Sequence, residues 1–195
     1  MFAQLNALDT RLFLYLNSHH SPFWDPVMYW ASNKLFWFPF YALILLLIIR
    51  HYRKASIWMV LCIGMLITLS DQLSSHLIKG LVRRLRPSHE PALSGLVHLS
   101  QAGAGGMYGF VSSHAANSFA LWVFLGLILD RRFRGLKYIL GCWALLVCYS
   151  RIYVGVHYPG DVLCGALLGS LIGWAMAWLY KKVVRAGYFR PPQSA

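Results

Sequence analysis

Long apolar runs separated by short clusters of lysine and arginine govern what this chain can become. Residues 35–49, 57–78, 115–129 and 162–180 meet or approach the length that crosses a bilayer, about 20 mostly apolar residues. Residues 136–149 form a fifth run that reaches this length only by borrowing from its flanks. Of the 195 residues 58% are hydrophobic and only 12% charged, against roughly 25% charged in soluble proteins. The sequence therefore reads as an all-α integral membrane protein, a bundle of five to six transmembrane helices in a single domain, 1–195. Residues 5–16 are amphipathic and 22–32 short and aromatic-rich, so together they lie in the interface or form one irregular span. Asp9 and Arg11 in the first apolar stretch, and the lack of a basic start, argue against a cleaved signal peptide.

The formal net charge of +12 would suit nucleic acid if the cations followed polar faces. Instead they punctuate the apolar runs, as the flanks of membrane helices do, and no nucleic-acid partner is expected. Eleven of the 18 (Arg50, Arg53, Lys54, Arg131, Arg132, Arg134, Lys137, Lys181, Lys182, Arg185 and Arg190) fall on one side of the expected bundle. The positive-inside rule places that side in the cytoplasm. The polar stretch 79–113, with 88–111 as a lid loop, and the turn 151–161 then face outward together. Cys62, Cys142, Cys148 and Cys164 lie in apolar surroundings without CxxC spacing, which suggests neither disulfides nor a thiolate metal site. His19, His20, His51 and His76 lack metal-ligand spacing. Asp71 reads as a satisfied helix contact, and His89, Glu90 and His98 as loop residues that shape a headgroup pocket.

Three polar groups, distant in sequence, converge on the outward side. Lys79 and Arg86, seven residues apart in a helical exit, share a face; as isolated residues they also fit interfacial anchors whose stems snorkel. Ser112, Ser113 and His114 stand where a helix begins, a place that suits an N-cap and equally an anion, because free N–H groups and the positive dipole end point outward. Ser150, Arg151, His157 and Asp161 form the third group. Pro159 suits a first helical turn, which sets Asp161 about one turn beyond His157. A carboxylate there holds one imidazole nitrogen and leaves the other free to attack. Charged groups at membrane depth are costly and mark function by default. Three cations, a helix N-terminus, hydroxyls and two histidines match a phosphoryl group in charge and geometry.

These residues resemble the three motifs of the type-2 phosphatidic acid phosphatase (lipid phosphate phosphatase) superfamily. K-x6-RP stands as Lys79–Pro87, the second motif as VSSH at Val111–His114, and SR-x5-H-x3-D as Ser150–Asp161. Val111 and Ser113 depart from the usual Pro and Gly. The resemblance implies that His157 is the nucleophile forming a phosphohistidine, that Asp161 orients it, and that His114 protonates the leaving group. It further implies that Lys79, Arg86, Ser112, Ser113 and Arg151 bind phosphate oxygens with Ser150 in support, and that no metal or other cofactor is required.

The expected activity is hydrolysis of a lipid phosphate or diphosphate, with the bilayer and its lipid as partners. The expected setting is a bacterial inner (cytoplasmic) membrane, the site facing the periplasm or cell exterior. Arg83 and Arg84, beside the first motif, are placed to meet a second phosphate. That favours a diphosphate ester, and the resemblance to family members that act outward implies undecaprenyl diphosphate, ahead of lipid A phosphates and phosphatidylglycerol phosphate. A transporter is the alternative outside enzymes, but its polar residues would run deep in several helices, whereas these crowd one end.

Overall fold

A computed structural model of the chain describes residues 2–185. The elements run α1 (Phe2–Ser18), α2 (Trp24–Ser32), α3 (Phe38–Tyr52), α4 (Ser56–Asp71), α5 (Lys79–Val82), α6 (Ser113–Ile128), α7 (Arg134–Tyr153) and α8 (Pro159–Arg185). A π-helical stretch, Gln72–Ile78, joins α4 to α5 without a break. Three helical stretches are long and apolar enough to cross a membrane, Lys34–Val82, Arg131–Tyr153 and Pro159–Val184, and Ser113–Ile128 is a shorter apolar helix. The first of these folds back on itself at Arg53, whose φ of 51° turns the chain between α3 and α4. Five apolar crossings result, as the sequence leads one to expect.

The core is built from the facing stripes of these helices, among them Ile48, Met59, Leu66, Phe124, Leu125 and Leu140, all but inaccessible. The outward stripe of α8, Leu163, Leu167, Leu171, Trp174 and Trp178, is 56–66% exposed, as a lipid-facing surface must be. Its opposite face carries Gly165, Gly169 and Gly173, one per turn. A Cβ on Gly165 or Gly173 would stand 2.5 Å from the carbonyl oxygen of Ser112 or Ala120, and one on Gly169 would collide with that of Ala116. Small residues at this spacing let two helix backbones touch, the means by which helices associate where lipid removes the hydrophobic drive.

Helix α1 lies along one end of the bundle. Asp9 accepts the Gly160 N–H at the start of α8 at 2.7 Å, while Asn17 donates to the carbonyls of Ile152 and Tyr153 at the close of α7. Both anchors belong to the same end of the bundle, so α1 straps the start of α8 to the close of α7. The opposite end gathers the basic connections. There His51 pairs with Asp130 at 3.1 Å and the Tyr52 hydroxyl accepts the Asp130 N–H.

Candidate active site

The turn between α7 and α8 carries His157, buried to 1% exposure, and Asp161 follows in the first turn of α8 with none. Asp161 Oδ2 stands 3.5 Å from His157 Nδ1 and accepts the Tyr158 N–H at 3.1 Å. Nδ1 therefore faces the carboxylate, which leaves Nε2 as the ring nitrogen available for chemistry. Burial, followed by the nearby Arg151, Arg86 and Lys79, holds the His157 imidazole well below its ordinary titration range. Gly109 closes over the pair: a Cβ there would fall 2.9 Å from Asp161 Oδ2.

Asp161 has a second partner, one that local spacing does not disclose. Arg84 donates to Asp161 Oδ1 at 2.7 Å, to Asp9 Oδ2 at 2.8 Å and to Asn6 Oδ1 at 2.9 Å, with its guanidinium 4.0 Å above the Tyr158 ring. All of its reach is thus committed to the protein, and it is not free to meet a second phosphate. Arg83 is exposed and turns its Nε back to the Gly80 carbonyl. Arg84 therefore offers a diphosphate no second anchor.

Lys79 and Arg86 do reach the same site, though not along one helical face. The helix stops at Val82, Arg83 adopts a left-handed conformation (φ 50°), and Arg86 arrives on an extended segment. Leu85 bridges Tyr108 antiparallel, the Arg86 N–H donates to Met107 O and its Nε to Tyr108 O at 3.1 Å. Gly105, at φ 67°, runs against the guanidinium where a side chain would clash. Ser88 and His89 stitch the same loop at Ala104 O and Gly105 O. His89 is therefore a tie within the loop.

Lys79 Nζ donates to Ser113 Oγ at 3.0 Å, and Ser113 Oγ also meets Ser75 Oγ at 2.8 Å. Ser75 in turn donates to Asp71 Oδ1, which also receives Asn117 Nδ2 at 3.5 Å. Asp71 is a satisfied helix contact, as its sequence context indicates, and it is linked through two serines to Lys79. Ser112 donates its N–H to the Asp161 carbonyl, tying the start of α6 to α8. Ser150 Oγ bonds back to Val147 O within α7, and Arg151 is held by Ser32. Among the described residues Ser112 Oγ and Arg151 Nε are buried without a hydrogen-bond partner. Buried polar atoms are seldom left so, and an oxyanion is a ligand that satisfies a hydroxyl and a guanidinium N–H together.

His114, one residue into α6, opens on a different space. A half-open cavity of about 700 Å³ is lined by α3, α4, α6 and α7, with Tyr41, Ile44, Ile63, Ile67, Leu121 and Trp143 among its apolar walls. Lys34, Asp71 and His114 stand at its polar end. The space is apolar along its length and charged at one end, the shape of an amphiphile.

Ser75 and Asn117 are not among the sequence-derived site residues, and Arg84, expected to meet a second phosphate, instead holds Asp161 and Asp9. The signal available for the first two was the small polar residues of the π-helical stretch and of α6; nothing local pairs Asp9 with Arg84. The α8 glycines were visible at four-residue spacing.

Three comparisons bear on this geometry. The PAP2 superfamily matches residues 58–185, which contain every polar group just described except Asn6, Asp9, Ser32 and Lys34. A lipid A 4'-phosphatase of Bacteroides thetaiotaomicron is 38% identical over 185 residues, 94% of this chain and 81% of the relative; one of Porphyromonas gingivalis is 34% identical over 169 residues, 85% and 70%. The crystal structure of a transmembrane PAP2-type phosphatidylglycerolphosphate phosphatase from Bacillus subtilis superposes with a TM-score of 0.67 at 26% identity, over 96% of this chain and 90% of that one. Matched in family, in fold and over nearly its whole length, the chain belongs to the PAP2 superfamily and is a membrane-embedded phosphatase.

Proposed function

We propose that this protein removes a phosphate from a lipid A-type glycolipid through a phosphohistidine on His157. The observation that carries the substrate choice is the identity, over 94% of this chain, to a relative named for that reaction. With Arg84 engaged by Asp9 and Asp161, undecaprenyl diphosphate loses its special support and becomes a rival alongside phosphatidylglycerol phosphate.

The lipid's hydrocarbon enters the apolar cavity, which sets its ester oxygen at the polar end beside His114. Lys79, Arg86, Arg151, Ser112 and the Ser113 N–H receive the phosphoryl oxygens, and Ser150 braces the helical turn that carries Arg151. His157 Nε2 then attacks phosphorus while Asp161 holds Nδ1. The P–O bond to the lipid breaks, and His114 delivers a proton to the departing oxygen on the cavity side. Water, deprotonated by His114, cleaves the P–N bond and releases inorganic phosphate. Attack and departure lie on opposite sides of phosphorus, as in-line displacement requires. The step uses cations and amides to stabilise charge and routes nothing through a metal. The end of the bundle that carries His51 and Asp130 faces the cytoplasm, since the basic connections collect there, and the site faces the periplasm of a bacterial inner membrane.

Phosphate release from purified protein, measured as kcat/KM on lipid A, phosphatidylglycerol phosphate and undecaprenyl diphosphate in one detergent, tests the substrate. A preference for either rival replaces lipid A and leaves the phosphatase intact. Rapid quench with a radiolabelled phosphoryl donor tests the intermediate. The label should be acid-labile, base-stable and absent from His157→Gln, and a labelled His157→Gln protein would refute the assignment.

A further inference from the structure

Away from the site, three side chains from three separate segments meet. His20 lies in the link between α1 and α2, Asp25 in the first turn of α2, and His98 in the loop that crosses the site. A nitrogen of each imidazole and an oxygen of the carboxylate all lie within 4.8 Å of one another. The His20 and His98 rings stack with centroids 3.7 Å apart and planes 3° from parallel, and His98 Nε2 is 3.0 Å from Asp25 Oδ1.

Asp25 is held at its carboxylate and His98 at its backbone. Asn17, buried to 1%, accepts the His98 N–H at 2.8 Å and donates to the His98 carbonyl at 3.1 Å. The Tyr153 hydroxyl donates to Asp25 Oδ1 at 2.8 Å, leaving Oδ2 free. Outer partners that orient histidine and carboxylate ligands are a general property of metal sites. His20 is exposed, so an outward turn of its ring from the stack would disturb no core residue. The donor set of two imidazoles and one carboxylate suits a borderline divalent ion such as Zn2+, with water completing a tetrahedron.

We propose that His20, Asp25 and His98 form a zinc-class divalent metal site that clips the α1–α2 link to the loop over the active site. The spacing of these residues in sequence gives no sign of it, because 73 positions separate Asp25 from His98. The site sits behind the turn that bears His157: Asn17 bonds Ile152 and Tyr153 there, and the His98 carbonyl abuts Gly155, where a Cβ would be 2.5 Å away. The ion is therefore structural, takes no part in phosphoryl transfer, and acts by holding the loop and the turn together.

The test uses the full chain, purified in detergent without a histidine tag and stripped by chelator dialysis. Zn2+ is titrated by calorimetry, and Co2+ is followed by its visible absorption. The expected result is one equivalent of Zn2+ bound, a tetrahedral Co2+ spectrum, and a rise in Tm of about 5–10 °C at a hundredfold excess over Kd. His20→Gln and His98→Gln should each weaken binding at least tenfold, about one factor of ten per 1.4 kcal/mol, while His51→Gln, at the histidine–aspartate pair on the opposite end of the bundle, changes nothing. Since His20 is exposed, its variant keeps basal turnover, which reports that it has folded. Failure of the wild type to bind, or equal binding by His20→Gln and His98→Gln, overturns the proposal.

Discussion

Arg84 and Asp161 are joined at 2.7 Å across 77 residues of sequence, so the carboxylate beside His157 is anchored from the segment that ends the first motif. Asp161 is inaccessible and the Arg84 side chain 21% exposed. Removing one partner of a fully buried pair costs about 3–5 kcal/mol; residual solvent at Arg84 brings the expectation down to about 2–3 kcal/mol. Arg84→Ala should lower Tm by about 5–10 °C and reduce kcat more than it changes KM. Arg84→Lys should recover only part of this, because an ammonium lacks the fork that serves Asp9 and Asp161 together. Full turnover by Arg84→Ala would dissociate this residue from the histidine.

His114→Ala separates the protonation of the leaving group from attack on phosphorus. With a lipid ester, kcat should fall by about 10²–10⁴, the usual worth of general acid catalysis. With an analogue whose leaving group is a nitrophenolate, the loss should be far smaller, whereas His157→Ala should abolish both reactions. Equal loss on the two substrates would remove His114 from the acid role.

Protonation of His157 offers a reading free of turnover. Burial and three cations keep the ring neutral in the folded protein, so 15N spectra of labelled histidine should show a neutral imidazole at pH 6. The unfolded chain takes up that proton near the ordinary value of about 6.5, so this residue's contribution to stability is present above that pH. It is lost as the pH falls from there towards the depressed folded value. An imidazolium signal for His157 at pH 7 would contradict the geometry.

Glycines on α8 and α6 make an opposite pair of substitutions informative. Gly169→Ala drives a methyl into the Ala116 carbonyl and should destabilise by about 1–3 kcal/mol. Gly126→Ala, with no atom within 4 Å of the new Cβ, should stabilise by up to about 1 kcal/mol. Thermal melts in detergent decide between them, and a neutral Gly169→Ala would show that α6 and α8 are not in backbone contact.

Chelation distinguishes reaction from scaffold. EDTA should leave kcat on lipid substrate unchanged and lower Tm, while vanadate, an oxyanion that takes up a trigonal-bipyramidal geometry when bound by a nucleophile, should inhibit competitively. Loss of kcat in EDTA with recovery on adding Zn2+ would place a metal in the reaction.

Much of this was legible because it is local. Apolar runs give the crossings, Pro159 gives the start of α8, and the three motifs bring Lys79, Ser113, His114, Arg151, His157 and Asp161 to one end. What escaped is the pairing of side chains far apart in sequence. The register by which Lys79 and Arg86 seemed to share a helical face is lost at Arg83, whose left-handed backbone no propensity announces in a non-glycine residue. Asp9 resembles any polar residue of an amphipathic helix until α1 is laid across the bundle. His20 and Asp25 acquire a common neighbour only when the loop bearing His98 folds back over them.

Backbone contact between α6 and α8 also decides which part of the bundle yields when a substrate arrives. Helices meshed at Gly165, Gly169 and Gly173 have no clearance to separate, and parting them would pull Ser112 from Asp161. The hairpin of α3 and α4, by contrast, borders the cavity and turns exposed leucines and isoleucines to the bilayer on its other side. Entry from the leaflet is then a gate with one fixed jamb and one swinging leaf. A cross-link from α3 to α7, across the cavity, should halt turnover on long-chain lipid while sparing a short soluble ester, and a cross-link from α6 to α8 should spare both.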